Sequence, residues 1–262
     1  MKIIKKPLDF YVKKLKQNKP FAIARYGDGE WLTILGYSHL HNSNGCVFSP
    51  ELSAAMGAVL QRQNEYFHAI LKIAKKERKV PDARGNHKDY GLSAIDAYIK
   101  TNGIKSNWYD GDIFLDEMLK GGLFPLIEQL REKRVMYVGN ERLRGLNMRG
   151  IGFFPYASFV QPPPKDAYTH KDEILTRVMA DIVKKKIQVI GWSSGLAAKV
   201  FIDEVYMRFP EITQIDFGSM FDGYFEPLPH IKAKPRNNTG SRSYIRKGGY
   251  DWEELKRLNR GE

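Results

Sequence analysis

Phe21-Ala22-Ile23-Ala24-Arg25-Tyr26-Gly27-Asp28-Gly29-Glu30 joins a short apolar run to a glycine-flanked pair of carboxylates. Phe21 to Arg25 reads as a buried strand, too short for a helix and closed by glycine, and Trp31 to Leu35 begins a helix. Runs of the same kind recur at Val135 to Gly139, Ser158 to Gln161, Ile187 to Trp192 and Ile212 to Phe217. Helical patterns separate them. Ser49-Pro50 opens one, with Ser as N-cap and Pro at the first helical position, and Leu52, Met56, Val59, Leu60, Phe67, Ile70 and Leu71 along one face. Thr169 is expected to cap a second, with Asp172 in its first turn and Ile174, Leu175, Val178, Met179 and Ile182 turned inward. A third follows Ser194 and stops at Pro210. Strands alternating with helices predict an α/β fold with a mostly parallel sheet flanked by helices on both faces.

The remaining composition sets bounds on that fold. A chain of 262 residues, 42% hydrophobic and 27% charged, can bury one substantial core, so residues 1–262 are expected to form a single domain. Residues 72–112 change character, with Lys75-Lys76-Glu77-Arg78-Lys79 and a Gly85-Asn86-His87 turn signal, and are expected to be a small inserted lobe on the acceptor side. Residues 227–250, rich in Pro, Gly, Ser, Lys and Arg, read as an extended basic C-terminal tail that can serve as a lid, and Asp251 to Leu258 as a short closing helix. Lysines at 13, 14, 16 and 19 interrupt any secretion signal, and no apolar run approaches the roughly 20 residues that cross a bilayer. Cys46 is the single cysteine, which excludes an intramolecular disulfide and fits a reducing, cytoplasmic setting. The formal charge of +12 calls for an anionic partner, for which nucleic acid, a membrane surface and a nucleoside diphosphate all qualify.

The chemistry concentrates where predicted strands end, because ligands of open α/β sheets bind there. Asp28 and Glu30, one residue apart, can hold one Mn²⁺ or Mg²⁺ through hard oxygen ligands, leaving metal positions open for diphosphate. Gly27 and Gly29 let the backbone pass close to a ligand, and Arg25 offers a fork of donors to phosphate. The alternative makes Asp28 a turn or cap residue and Glu30 a partner of the helix dipole. Ser193-Ser194-Gly195 forms a hydroxyl-bearing strand-to-helix turn whose free amides suit an anion, although ordinary capping uses the same pattern. Asp216 beside Gly218 suits a ribose or sugar hydroxyl, or a simple turn cap. Val138-Gly139-Asn140-Glu141 repeats the arrangement at another strand end. Asp110, Asp112, Glu141 and Asp222 are candidates for the base that takes an acceptor proton. His39, His41, His87 and His170 lack a third ligand at a recognised spacing, and no P-loop or Gly-x-Ser-x-Gly elbow occurs.

Arg25-Tyr26-Gly27-Asp28-Gly29-Glu30 resembles the signature of the GT-D-type glycosyltransferases, a bacterial and phage family with a Rossmann-like fold and an Asp-x-Glu metal motif. The likeness continues at Gln161-Pro162-Pro163-Pro164-Lys165-Asp166-Ala167-Tyr168 and at Gly191-Trp192-Ser193-Ser194-Gly195 with Ala197-Ala198-Lys199. It ends at Ile215-Asp216-Phe217-Gly218-Ser219-Met220-Phe221-Asp222, similar to the family's Asp-x-Gly-x-x-x-Asp segment. The resemblance implies a hexosyltransferase-like enzyme that moves a sugar from a nucleoside diphosphate sugar, UDP-sugar foremost, to a glycan or glycoprotein hydroxyl, with Asp28 and Glu30 as metal or diphosphate ligands; Asp28, Glu30 and Asp222 are taken as the catalytic set. A phage-type DNA-modifying transferase acting on modified DNA and a non-catalytic nucleic-acid-binding protein are the alternatives. Nothing resembling a zinc finger, RNA-recognition signature or helix-turn-helix supports the last.

Overall fold

The computed structural model describes residues 1–37, 48–62, 67–82, 86–120, 122–141, 144, 154–163 and 166–221. The Asp222 site, the 227–250 tail, the Asp251 to Leu258 helix, and His39 and His41 lie outside the described residues. In chain order come β1 (Ile3–Ile4), α1 (Leu8–Lys16), β2 (Ala22–Tyr26), α2 (Asp28–Ile34), α3 (Pro50–Leu60) and β3 (Phe67–Ile70). A hairpin of β4 (Arg78–Pro81) and β5 (His87–Tyr90) follows, then α4 (Leu92–Thr101), β6 (Trp108–Asp110), α5 (Ile113–Lys120) and α6 (Phe124–Arg131). The chain continues through β7 (Val135–Val138), β8 (Tyr156–Val160), α7 (Lys171–Lys185), β9 (Val189–Trp192), α8 (Ala198–Arg208) and β10 (Thr213–Asp216).

Eight of these strands form one sheet in the order β1-β6-β3-β2-β10-β9-β7-β8, and every pairing in it is parallel. Parallel strands need crossovers, and crossovers are right-handed, so the direction of each step decides which face its helix covers. Steps toward the β1 edge place α2, α3, α4, α7 and α8 on one face, where Trp31, Leu52, Ile95, Val178 and Phe201 meet Ala24, Tyr26, Met136 and Ile190 of the strands. Steps in the other direction place α1, α5 and α6 on the opposite face, where Tyr11, Phe114 and Leu126 meet Ile23, Tyr137 and Ile215. The chain is thus an α/β protein of Rossmann-like build, with the parallel sheet covered on both sides.

Three details depart from the pattern read in the sequence. The helix opened by Ser49 ends at Leu60, and Phe67 to Ile70 is instead β3, hydrogen-bonded beside β2. Residues 60, 67, 70 and 71 continue the helical period by coincidence of spacing, and a four-residue strand is too short to display its own. Within 72–112 the β4–β5 hairpin stands apart from the main sheet, whereas β6 is a strand of that sheet between β1 and β3. The helix expected to be capped by Thr169 starts at Lys171 with His170 at its N-cap, while the Thr169 hydroxyl bonds the Asp166 carboxylate.

Packing explains a glycine in the middle of β9. Gly191 pairs with Tyr137 on one side and Ile215 on the other, and the rings of Tyr137 and Phe217 stack over it at 6.2 Å and 3°. A Cβ there would lie 2.9 Å from Phe217 Cε2 and 3.0 Å from Tyr137 Cδ2, so the stack requires the missing side chain. Phe217 directly follows Asp216, and the stack therefore fixes where the β10 strand end delivers its carboxylate.

Candidate active site

The chain leaves β2 into α2 on one face, and leaves the neighbouring β10 toward Phe217, Met220 and Phe221 in the opposite core. Two adjacent strands that part in this way open a crevice at their carboxyl ends, the place where open α/β sheets take ligands. Asp216, at the end of β10, sits on its floor and is 1% exposed. Its Oδ2 accepts the Arg25 backbone N–H at 3.1 Å and lies 2.9 Å from Lys199 Nζ, while its Oδ1 accepts the Gly218 N–H at 3.1 Å. Gly218 takes a left-handed φ of 54°, which a glycine adopts without strain, and this turns its N–H back toward the carboxylate.

Lys199, one residue into α8, is buried and bridges the two strand-end loops. Its Nζ lies 2.6 Å from Glu30 Oε1 as well as 2.9 Å from Asp216 Oδ2. Burial by itself would lower the lysine pKa, but Asp216 and Glu30 outweigh it and raise the value, so the ammonium stays charged. Glu30 Oε2 accepts the Gly27 N–H at 2.8 Å, closing a capping-box bond at the start of α2. Arg25 turns its guanidinium onto the other side of the crevice, where Nη1 donates to Phe217 O at 2.7 Å and reaches Asp216 O at 3.4 Å. Two cations and two carboxylates, all largely buried, thus form one network that ties β2, β10, α2 and α8 together.

Asp28 stands outside this network. One carboxylate oxygen accepts the Gly29 N–H at 3.0 Å and the other lies 3.2 Å from Arg78 Nη2 of β4, with the Asp28 side chain 38% exposed. Among the described residues no group of three His, Cys, Asp or Glu is placed to hold a metal ion. Both Glu30 oxygens are occupied by Lys199 and Gly27. Asp28 is therefore the more accessible carboxylate of the expected pair, its side chain 38% exposed against 12% for Glu30. Gly27 and Gly29 both lack a positive φ, and close packing explains them instead: a Cβ on Gly27 would meet Glu30 Oε2 and Leu71 Cδ1 at 3.1 Å, and one on Gly29 would meet Leu196 Cδ2 at 3.2 Å.

The serine turn is largely engaged internally. Ser193 Oγ donates to Gly218 O at 2.6 Å and accepts from Tyr137 OH at 2.7 Å, and Ser194 Oγ donates to Val138 O at 3.4 Å. These hydroxyls lash β7, β9 and β10 together, and Gly195, at φ 60°, starts the short 3₁₀ turn that leads into α8. On the opposite flank Asp110 ends β6 and Asp112 follows it. Asp112 is buried, its Oδ2 accepts the Lys72 N–H at 2.6 Å, and its pKa is raised, first by burial and next by Asp110. Glu141, in contrast, is exposed and paired with Arg144 at 2.7 Å.

Two residues of this site escaped the sequence reading of chemistry. Lys199 had one signal, a lysine inside Leu196-Ala197-Ala198-Lys199-Val200-Phe201, where a charge on an apolar helix segment demands a buried partner. Arg78 had none, being one of several cations between Lys75 and Lys79.

No protein-family model matches the chain, and no curated protein does. Two solved structures share its fold. One is a selenomethionine-substituted structure of a domain of unknown function 1792, 19% identical over 90% of this chain and 88% of that chain, with a TM-score of 0.57. The other, described as showing that the highly conserved domain of unknown function 1792 has a distinct glycosyltransferase fold, is 19% identical over 91% of this chain and 90% of that chain, again with a TM-score of 0.57. The similarity of sequence motifs to the GT-D type is thus matched by similarity of fold. Among the described residues no helix is long and apolar enough to cross a membrane.

Proposed function

We propose that this chain, built on a glycosyltransferase fold, transfers a sugar from a nucleoside diphosphate sugar, UDP-sugar foremost, to a glycan or glycoprotein hydroxyl. The observation that carries the reading is the convergence of Arg25, Asp28, Glu30, Lys199 and Asp216 on the crevice between β2 and β10. Asp28 is the residue that would hold Mn²⁺ or Mg²⁺, whose charge would stabilise the departing diphosphate. Glu30, Lys199 and Asp216 hold the loops that shape the donor pocket.

In the transfer, the acceptor oxygen bonds to the anomeric carbon while the bond from that carbon to the phosphate oxygen breaks, and the acceptor proton goes to a carboxylate. Asp112, which follows the end of β6 on the flank of the crevice, is assigned that role, because burial raises its basicity against the opposing pull of the Lys72 N–H bond and the Arg25 charge. Asp112→Asn should lower kcat by roughly 10² to 10⁴-fold with little change in donor affinity. The acid limb of the wild-type kcat profile should lie above the ordinary carboxylate range. A limb at the ordinary value, or an Asn variant of normal rate, would remove Asp112 from the mechanism.

The donor assignment is tested by thermal shift of the whole chain against UDP, GDP, CDP and their sugars, with Mn²⁺ and with chelator. A ligand at about 100 times its Kd adds about 2.7 kcal/mol to stability, which in a chain of this size raises Tm by roughly 5 to 10 °C. A shift with one nucleotide that depends on Mn²⁺ supports the reading. No shift with any of them removes it and favours nucleic-acid binding.

A further inference from the structure

The inner network of the crevice has a consequence for any diphosphate that enters. Arg25 and Lys199 are both buried and turned inward, the ammonium onto Asp216 and Glu30 and the guanidinium onto the backbone carbonyls of Asp216 and Phe217, so two cations and two carboxylates share the network before a donor arrives. A diphosphate brings further negative charge, which a partly exposed cation must meet. Arg78 has the right placement. Its Nη2 is 3.2 Å from Asp28 Oδ2, and the two side chains are 33% and 38% exposed, so the pair is accessible and only weakly held. Its guanidinium also lies 4.9 Å over the ring of Tyr90, a fully buried side chain of β5. That ring stays neutral, since burial first and the nearby Asp28 next raise its pKa. Stacking fixes the plane of the guanidinium while leaving its N–H edge for a planar or bidentate acceptor.

We propose that Arg78 is a donor-binding residue delivered by the β4–β5 hairpin, one that exchanges Asp28 for the diphosphate when the nucleotide sugar binds. This rests on the donor-site reading given above. A guanidinium carries five N–H donors, of which the Asp28 contact uses one, so phosphate can be taken on two parallel bonds. The exchange also frees Asp28 at the moment a cation bound to the diphosphate would need it. The hairpin that carries Arg78 belongs to its own two-stranded sheet, anchored by the Tyr37 hydroxyl on Asp89 O at 3.1 Å and by Glu77 on the Ser93 N–H at 2.8 Å. These anchors set where Arg78 stands at the crevice, and the exchange needs only its side chain to turn.

The test is calorimetric titration of the whole chain with UDP, GDP, CDP and dTDP in chelator, the tightest of which is then used on variants. Arg78→Ala should weaken binding by at least 10-fold, and Arg78→Lys, which keeps charge but not the fork, should fall between. Asp28→Asn should tighten metal-free binding several-fold, since the competitor for Arg78 is gone, and that gain should vanish when Arg78→Ala is added. Equal affinity in wild type and Arg78→Ala overturns the inference and leaves the donor site standing, even if the variant melts earlier. An Asp28→Asn gain that persists without Arg78 overturns the exchange, since removal of a negative charge would then explain it. Absence of wild-type binding in chelator that Mn²⁺ restores overturns the exchange and leaves the donor site standing, whereas absence of binding both in chelator and with Mn²⁺ overturns both readings.

Discussion

Lys199→Met is expected to cost about 3 to 5 kcal/mol of folding free energy, because it strands two buried carboxylates, Asp216 and Glu30, without their shared cation. Urea unfolding at pH 7 reads this as a lower midpoint with an unchanged slope. The pH dependence has a definite sign. The folded lysine pKa is raised, so its contribution is complete below the unfolded value of about 10.4 and is lost as pH rises through the folded value. Wild type should therefore lose stability in the alkaline range above that value, and the Met variant should lack this loss. An unchanged midpoint at pH 7 would mean that water enters and replaces the ammonium, and the network would not be the clamp described. Exchanging all its charged members for apolar ones of similar volume can restore stability, as buried ion networks commonly allow. Such a protein would hold the fold and lack the pocket.

Asp28→Asn and Glu30→Gln are expected to separate sharply, although the two residues look equivalent in the sequence. Asp28 is partly exposed and pairs with one half-exposed arginine, so Asp28→Asn should change stability by no more than about 0.5 kcal/mol. It should nevertheless abolish the Mn²⁺-dependent part of any nucleotide-induced thermal shift. Glu30→Gln removes one of the two carboxylates on a buried ammonium, while its amide oxygen can still accept the Gly27 N–H, and should cost about 1.5 to 3 kcal/mol. Its nucleotide response should weaken in proportion to the loss of pocket order. Equal unfolding midpoints for the two variants, with equal loss of the metal response, would return Glu30 to the role of direct ligand.

The central strands were legible because five buried residues in a row followed by Gly27, and the run ending at Asp216, admit little else. The strands β3 and β6, which lie beyond β2 toward the β1 edge, were not. β3 hides because Phe67 and Ile70 fall in step with the helix before them, and β6 because Trp108-Tyr109-Asp110 is too short to show alternation. The site was legible as a pair of carboxylates at a strand end, since backbone order alone places Asp28 and Glu30 there. Their division of labour was not, because it depends on Lys199, on another helix, and on Arg78, on a hairpin outside the sheet. Spacing along the chain reports neighbours in sequence; the ion pairs that set Asp28 apart from Glu30 are made by partners distant in it. Gly191 teaches the same lesson, for only the stacking of Tyr137 and Phe217 across it explains the missing side chain.

Arg25 and Asp216 meet across 191 positions of sequence, and their strands are nearest neighbours at the centre of the sheet. During synthesis β2 is made early and waits, with its β10 side open, until β10 has emerged. The crevice between β2 and β10 is therefore completed only after β10 has been made, and nascent chains that end before β10 lack it. Long-range pairing of this kind closes slowly, since a large loop must be ordered before any contact rewards it. Under the proposed function, nucleotide protection against a protease, followed over time after dilution from denaturant, becomes a clock for this pairing: its appearance dates the arrival of β10 beside β2, whatever the helices have already done.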